Sequence, residues 1–272
     1  MAETNLARRV LVAILGAPIL VSMFWFGGLL LLAPLLIIVA GGTIEFLEMQ
    51  KHKGLHPWKR IGTAASLIWC VWVHQFGIEN SIYPLFFLFL TCLILPLFSA
   101  RIETRFADAT FTLLGTLYVG LLGSFSLAVR NLPMSGGSDG QTIAMLVLLA
   151  IWVTDIAAYF VGRFFGKRHP FPKISPGKTG AGFVGGLSGA LCTTLVGANI
   201  LGISTFTKGL GIGLVVGLGA QVGDLVESMM KRDAGVKDSS TIIPGHGGIL
   251  DRFDSFLFTF PLVYFYLAMV HP

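Results

Sequence analysis

Charge is what this chain has least of. Asp, Glu, Lys and Arg make up 12% of its 272 residues against 54% apolar residues, and the mean hydropathy is +0.79. That balance excludes a water-soluble domain of this size. Cysteine is scarce as well: Cys70, Cys92 and Cys192 each stand alone inside an apolar run, with no Cys-x-x-Cys pair. That pattern disfavours a disulfide framework and a zinc site, and the three are expected as buried small apolar residues. No long internal repeat, low-complexity tract or soluble accessory domain is evident. Arg8-Arg9 precede an apolar run without a small-residue cleavage site, so the run reads as a retained first span rather than a removable signal. A twin-arginine export signal is disfavoured, because nothing downstream resembles a folded exported domain. Gly209, Gly211 and Gly213 follow no strand, which favours helix packing over a dinucleotide fingerprint.

What is present is a set of apolar runs of about 17 to 22 residues, each long enough to cross a bilayer as a helix. They fall at roughly 10–27, 29–48, 61–78, 82–99, 108–129, 142–164, 182–203, 207–228 and 253–271, with Gly27-Gly28 dividing the first two. The expected fold is an all-α polytopic membrane protein of about nine transmembrane helices. Residues 1–140 hold the N-terminal helices and 141–272 the C-terminal helices with their charged loops, as one integral membrane unit. The net charge of +5 could suggest nucleic acid, but its placement indicates a bilayer instead. With the N-terminus cytoplasmic and the C-terminus opposite, all but Arg130 and Lys208 of the 19 Lys and Arg fall on the inner side. Within the spans, Gly182/Gly186, Gly185/Gly189, Gly213/Gly217 and Gly219/Gly223 lie four apart, a spacing that suits close helix approach and permits a homodimer.

The chemistry concentrates between Gln221 and Ser255, where ten charged residues flank the turn Pro244-Gly245-His246-Gly247-Gly248. Phosphates in a low-dielectric setting need Lys or Arg and a hard cation, and that cation needs carboxylate oxygens. On a helix, Gln221, Asp224, Ser228 and Lys231 share one face. Asp251, Asp254 and Ser255 open the next apolar run, where free N–H groups favour anions. Acids at membrane depth are costly, which singles out Asp224 and Asp155. Asp251 is a second candidate metal ligand, with Arg252 or Asp254 in support. The plain alternatives are helix-start acids for Asp251 and Asp254, a helix-to-helix hydrogen bond for Asp155, and positive-inside placement for Lys231, Arg232 and Lys237. His246 suits a proton carrier, a phosphate donor or a loop residue. A second cytoplasmic loop, Gly166 to Gly182, offers Ser175, Lys178 and Thr179 to a phosphate but lacks the spacing of a Walker A loop. Glu45 and Glu48 end the second span and read as capping or surface acids; His74, Asp108 and Arg130 receive a similar reading.

The run Ser228-x-x-Lys231-Arg232, four residues, Lys237-Asp238, five residues, Pro244-x-His246-Gly247-Gly248, two residues, Asp251-Arg252-x-Asp254 resembles the signature of phosphatidate cytidylyltransferases, or CDP-diacylglycerol synthases. Upstream, Asp155, Ala158-Tyr159-Phe160, Gly162-Arg163 and Ser175-Pro176-Lys178-Thr179 extend the resemblance over roughly the C-terminal half. One departure is Gly180-Ala181-Gly182, where family members often carry an acid after the Lys-Thr pair. The resemblance implies that the phosphate of phosphatidic acid attacks the α-phosphorus of CTP, giving CDP-diacylglycerol and pyrophosphate, at the cytoplasmic face of a bacterial inner membrane. It assigns Mg²⁺ to Asp224 and Asp251, with room for a second cation, monovalent or divalent. Lys231, Lys237 and Arg232 would meet phosphates, and Ser175, Lys178 and Thr179 would close the pocket. Ser228, His246, Gly247, Gly248, Arg252, Asp254 and Asp155 complete the expected substrate-binding set. The rival readings are a related CTP-dependent enzyme, making CDP-archaeol or phosphorylating a polyprenol, and a secondary transporter of an anionic solute.

Overall fold

A computed structural model describes residues 16–99, 102–133, 140–202, 206–240, 242 and 247–270. Nine helical segments run through the described residues, and seven are long and apolar enough to cross a membrane. Helix α1 is Gly16–Phe26 and α2 is Gly28–Met49, extended by a 3₁₀ turn to Lys53. Then come α3, Lys59–Phe76, α4, Ile82–Ile94, and α5, Arg105–Gly115. A π-helical stretch, Thr116–Leu121, joins α5 to α6, Leu122–Arg130. The chain continues with α7, Gly140–Phe165, α8, Gly180–Ile200, α9, Phe206–Asp233, and α10, Leu250–Val270. Each of the about nine transmembrane helices expected overlaps one helical segment, and seven of those segments have the length and hydropathy of a membrane crossing. Gly27 and Gly28 both take positive φ, 66° and 54°, which breaks α1 from α2 where the sequence indicated.

Two corrections concern the ends of helices. The eighth expected span stops at 228, whereas α9 continues to Asp233. Lys231 and Arg232 form its last turn, where cations meet unpaired carbonyls favourably. The last span, expected from 253, begins at Leu250, so Asp251 and Arg252 are first-turn residues and the connecting loop is shorter at both ends. Apolar periodicity misses these turns because they are helical but polar. A third correction is Cys192, which is exposed while Cys70 and Cys92 are buried as expected.

The described residues fall into two compact units, residues up to Ala128 with Lys231–Phe253, and Val129–Met230 with the residues from Asp254 on. In the first unit α2, α3 and the π-helical stretch pack through small residues. A Cβ on Gly120 would lie 2.7 Å from Ser66 Cα, and one on Gly62 would lie 2.8 Å from a Leu47 methyl. Trp69, Phe46 and Leu47 are almost completely enclosed there. Asp108, also buried, accepts from the backbone N–H of His56 at 2.6 Å and from Thr104 Oγ1 at 3.0 Å. It therefore fastens the turn ahead of α3, in keeping with its plain reading.

The second unit shows where the paired glycines work. On α8, Gly185 and Gly189 abut Val161, Ala157 and Val153 of α7, while Gly186 faces Thr154 and Ala158. On α9, Gly213 and Gly217 receive Leu191, Thr194 and Leu187 of α8, whereas Gly219 and Gly223 face Thr259 and Phe258 of α10. Helix α9 thus presents one glycine pair to each of two neighbours. Small residues let backbones approach closely in lipid, where apolar surface alone provides no drive for association.

Candidate active site

The signature residues form a cluster in each unit. In the first unit, Lys231 at the end of α9 pairs with Asp251 at the start of α10, Nζ lying 2.5 Å from Oδ1. Their side chains are only 12% and 7% exposed. The other carboxylate oxygen accepts three bonds, from the Ser239 N–H at 3.0 Å, Ser239 Oγ at 3.0 Å and the Gly248 N–H at 2.8 Å. Gly247 supplies the turn: its φ is +79°, and a Cβ there would lie 2.6 Å from Asp251 Oδ2. Arg232, exposed, donates to the Val236 carbonyl at 3.0 Å. Lys237 and Arg252 are exposed on the same unit. Pro244, Gly245 and His246 lie outside the described residues.

In the second unit, Lys178 Nζ lies 2.9 Å from Asp224 Oδ2 and donates to the Gln221 carbonyl at 3.3 Å. Ser228 donates to Asp224 Oδ1 at 3.3 Å. The one-face arrangement of Gln221, Asp224 and Ser228 on α9 is therefore observed. This pair is more open, its side chains 26% and 40% exposed. Thr179 caps α8, its hydroxyl accepting from the Gly182 N–H at 3.0 Å. Ser175 turns the loop, its carbonyl accepting from the Lys178 N–H at 3.2 Å. Asp254 Oδ1 accepts from the Ser255 N–H at 2.7 Å, and Asp155 is exposed on α7.

Glu45 departs from its sequence reading. It is 2% exposed, and its carboxylate accepts from Ser239 Oγ at 2.9 Å, Ser240 Oγ at 2.6 Å, Ile249 N–H at 2.9 Å and Leu250 N–H at 2.8 Å. It caps a helix, but α10 rather than its own. Glu48 is the surface acid expected, paired at 2.6 Å with Lys51 and with Lys59. One signal separates the two: Glu48 has Lys51 three residues on, whereas no cation stands three or four residues from Glu45.

Helices of membrane-crossing length that carry two lysine–carboxylate pairs describe a polytopic membrane protein with charge gathered at a few positions. The chain belongs to the cytidylyltransferase family, whose pattern matches residues 7–270. It is thus an integral membrane nucleotidyltransferase. Among its relatives, a phosphatidate cytidylyltransferase of Synechocystis sp. is 34% identical, with 97% of each chain covered. That of Bacillus subtilis is 33% identical over 97% of this chain and 98% of its own. That of Staphylococcus haemolyticus is 38% identical over 94% and 96%.

Proposed function

We propose that the protein transfers the cytidylyl group of CTP to phosphatidic acid, releasing pyrophosphate and forming CDP-diacylglycerol for phospholipid synthesis. The full-length likeness to phosphatidate cytidylyltransferases supports this substrate pair. The structural observation that carries it is the enclosed Lys231–Asp251 pair. Enclosing two charges costs solvation that their attraction seldom exceeds, so a role in handling charge accounts for the pair better than stability does.

In the proposed reaction a phosphate oxygen of the lipid forms a bond to the CTP α-phosphorus as the bond to the pyrophosphate oxygen breaks. The attacking phosphate is already ionised, so the protein supplies alignment and charge neutralisation rather than a strong base. Lys231, Arg232 and Lys237 meet phosphate oxygens of CTP or the lipid, as do Lys178, Ser175 and Thr179. Ser228 and Asp254 steady the neighbouring acids, Gly247 and Gly248 offer backbone N–H groups, and His246, Arg252 and Asp155 complete the substrate contacts.

The more open carboxylate of Asp224 suits Mg²⁺. Among the described residues no three His, Cys, Asp or Glu converge on one point, and Mg²⁺ needs only one or two carboxylates because it keeps waters and substrate phosphates. Asp224 and Asp251 are the acids we assign to divalent cations; Asp224 has the more open carboxylate, whereas both oxygens of Asp251 are engaged, one by Lys231 and the other by Ser239 and Gly248. When bound, the cation supplies Lewis-acid neutralisation of the polyphosphate, and a second cation is compatible with that role. We place the reaction at the cytoplasmic face of a bacterial inner membrane, where CTP is available; the paired glycines are occupied by packing within the chain and carry no argument for a homodimer.

Detergent-purified protein given Mg²⁺, phosphatidic acid and CTP labelled at the α- or γ-phosphate tests the reading. The α-label is expected in the lipid extract and the γ-label in pyrophosphate. A γ-label recovered on dolichol or phytol would indicate a polyprenol kinase, product mass would reveal a CDP-archaeol synthase, and solute flux without nucleotide turnover would indicate a transporter.

A further inference from the structure

Glu45 is a buried acid that the proposed reaction does not use, and an acid in a membrane-spanning helix is costly to keep. Its carboxylate binds the chain on both sides of residues 241–246: Ser239 and Ser240 before them, Ile249 and Leu250 after. The first N–H groups of a helix have no partner within it. Here the donors entering α10 are met by a side chain 205 positions away in sequence.

Gly41, one turn earlier, makes room for this approach, since a Cβ there would collide with Ile249 Cδ1, while a Cβ on Gly42 would meet Val119 first, 3.1 Å from its Cγ1.

Ser239 connects this acceptor to the signature. Its hydroxyl lies 2.9 Å from Glu45 Oε2 and 3.0 Å from Asp251 Oδ2. A hydroxyl carries one proton, so the two carboxylates share a single donor. The Ser239 N–H also binds Asp251, so displacing Ser239 displaces the partner of a signature acid.

We propose that Glu45 is a positioning residue, holding residues 239–240 and the start of α10 so that Asp251 and Lys231 keep their geometry for cytidylyl transfer. The catalytic part of this inference rests on the function proposed above. The hold itself does not. Glu45→Gln replaces one acceptor oxygen by a donor facing donors, an arrangement that leaves buried groups unpaired. Glu45→Asp keeps both acceptors with a shorter reach.

The test uses full-length protein in detergent and two measurements. In hydrogen exchange read by mass spectrometry, Glu45→Gln is expected to speed exchange at Ile249 and Leu250 by about tenfold or more, the loss expected for bonds to a charged acceptor. Exchange in α7 and α8 should not change. In turnover, kcat should fall by roughly the same factor, with partial recovery in Glu45→Asp and none of the loss in Glu48→Gln on the same helix. Unchanged exchange at Ile249 and Leu250, exchange raised throughout the protein, or an equal loss in Glu48→Gln would each overturn the proposal. If Glu45→Gln does not fold, Ser239→Ala serves: it removes only the shared hydroxyl, and should lower kcat about fivefold while exchange at Ile249 and Leu250 stays put. Full activity in Ser239→Ala would refute the link to Asp251. Wild-type protein that makes no cytidylyl lipid would sink the proposed function, while the exchange measurement would still decide whether Glu45 holds the loop.

Discussion

Replacing Asp224 by Asn separates a structural ion pair from a functional one, because the structure bounds what the pair contributes to stability. Lys178 Nζ stands 2.9 Å from Asp224 Oδ2, with the side chains 26% and 40% exposed. Pairs this accessible contribute about 0.2–1 kcal/mol. The Ser228 hydroxyl approaches the other oxygen at 3.3 Å, beyond the usual O–H···O range, and Asn retains an acceptor for it. The expected stability loss is therefore at most about 1 kcal/mol, a shift of roughly 2–4 °C in melting midpoint for a chain of similar size. A change of that size alters the folded-to-unfolded ratio by about fivefold, which leaves the folded population of a stable protein nearly unchanged. If Asp224 instead holds the divalent cation against a polyphosphate, the transition state loses preorganised charge, and such losses run to about 10²–10³ in rate. The assay is initial-rate transfer of α-labelled CTP into lipid at saturating Mg²⁺, beside a thermal melt of the same preparation. The double variant Asp224→Lys with Lys178→Asp adds a control, since it restores the pair with its charges exchanged. A rate loss within fivefold, or recovery of the wild-type rate in the exchanged variant, would refute the reasoning and leave the pair as a brace between α9 and the loop before α8.

Other consequences are separable by simple measurements. Gly120→Ala places a methyl 2.7 Å from Ser66 Cα; a backbone atom cannot swing aside, so the melting midpoint should fall by the equivalent of about 1–3 kcal/mol. Thr179→Ala removes the cap on Gly182 N–H and should cost about 1 kcal/mol, whereas Thr179→Ser should melt as the wild type does. Stripping divalent cations with a chelator should abolish lipid labelling and added Mg²⁺ should restore it; turnover that survives exhaustive chelation would remove the cation from the proposed mechanism.

The bundle was legible because lipid leaves no partner for backbone polar groups except the helix itself, so runs such as 142–164 and 182–203 could hardly form anything else. Gly27-Gly28 marked a real break for a similar reason, since two residues at positive φ end a helix. What periodicity could not reach were polar turns that stay helical, as at Lys231–Asp233 and Leu250–Arg252. The site was legible where one helix face carries it, as with Gln221, Asp224 and Ser228, because helical spacing alone brings those side chains together. It was not legible at Glu45 and Ser239, whose contact joins positions 194 residues apart. No local pattern encodes that distance. Gly41 one turn earlier and the missing cation partner were the available hints.

The two lysine–carboxylate pairs should answer differently to salt, and that difference bears on how charge is handled. Lys231–Asp251, with 12% and 7% exposure, is shielded from mobile ions, whereas Lys178–Asp224, with 26% and 40%, is open to them. At physiological strength salt largely screens exposed charges more than about 8 Å apart, as when a charged ligand approaches, and acts weakly on enclosed ones. If Lys178 meets the nucleotide as proposed, a polyphosphate competes with Asp224 for it under the same screening, and its encounter there is sensitive to ionic strength. At Lys231 the proposed contact would be with an ammonium already desolvated and already committed to Asp251, so the cost of stripping water from that cation would fall on folding rather than on binding. Raising salt should therefore raise the KM for CTP through the open pair in wild-type protein. In Lys178→Met that salt dependence should flatten. A salt response unchanged by Lys178→Met would mean that the open lysine does not meet the nucleotide, and would leave the enclosed pair with its exposed neighbours Arg232 and Lys237 as the charges that do.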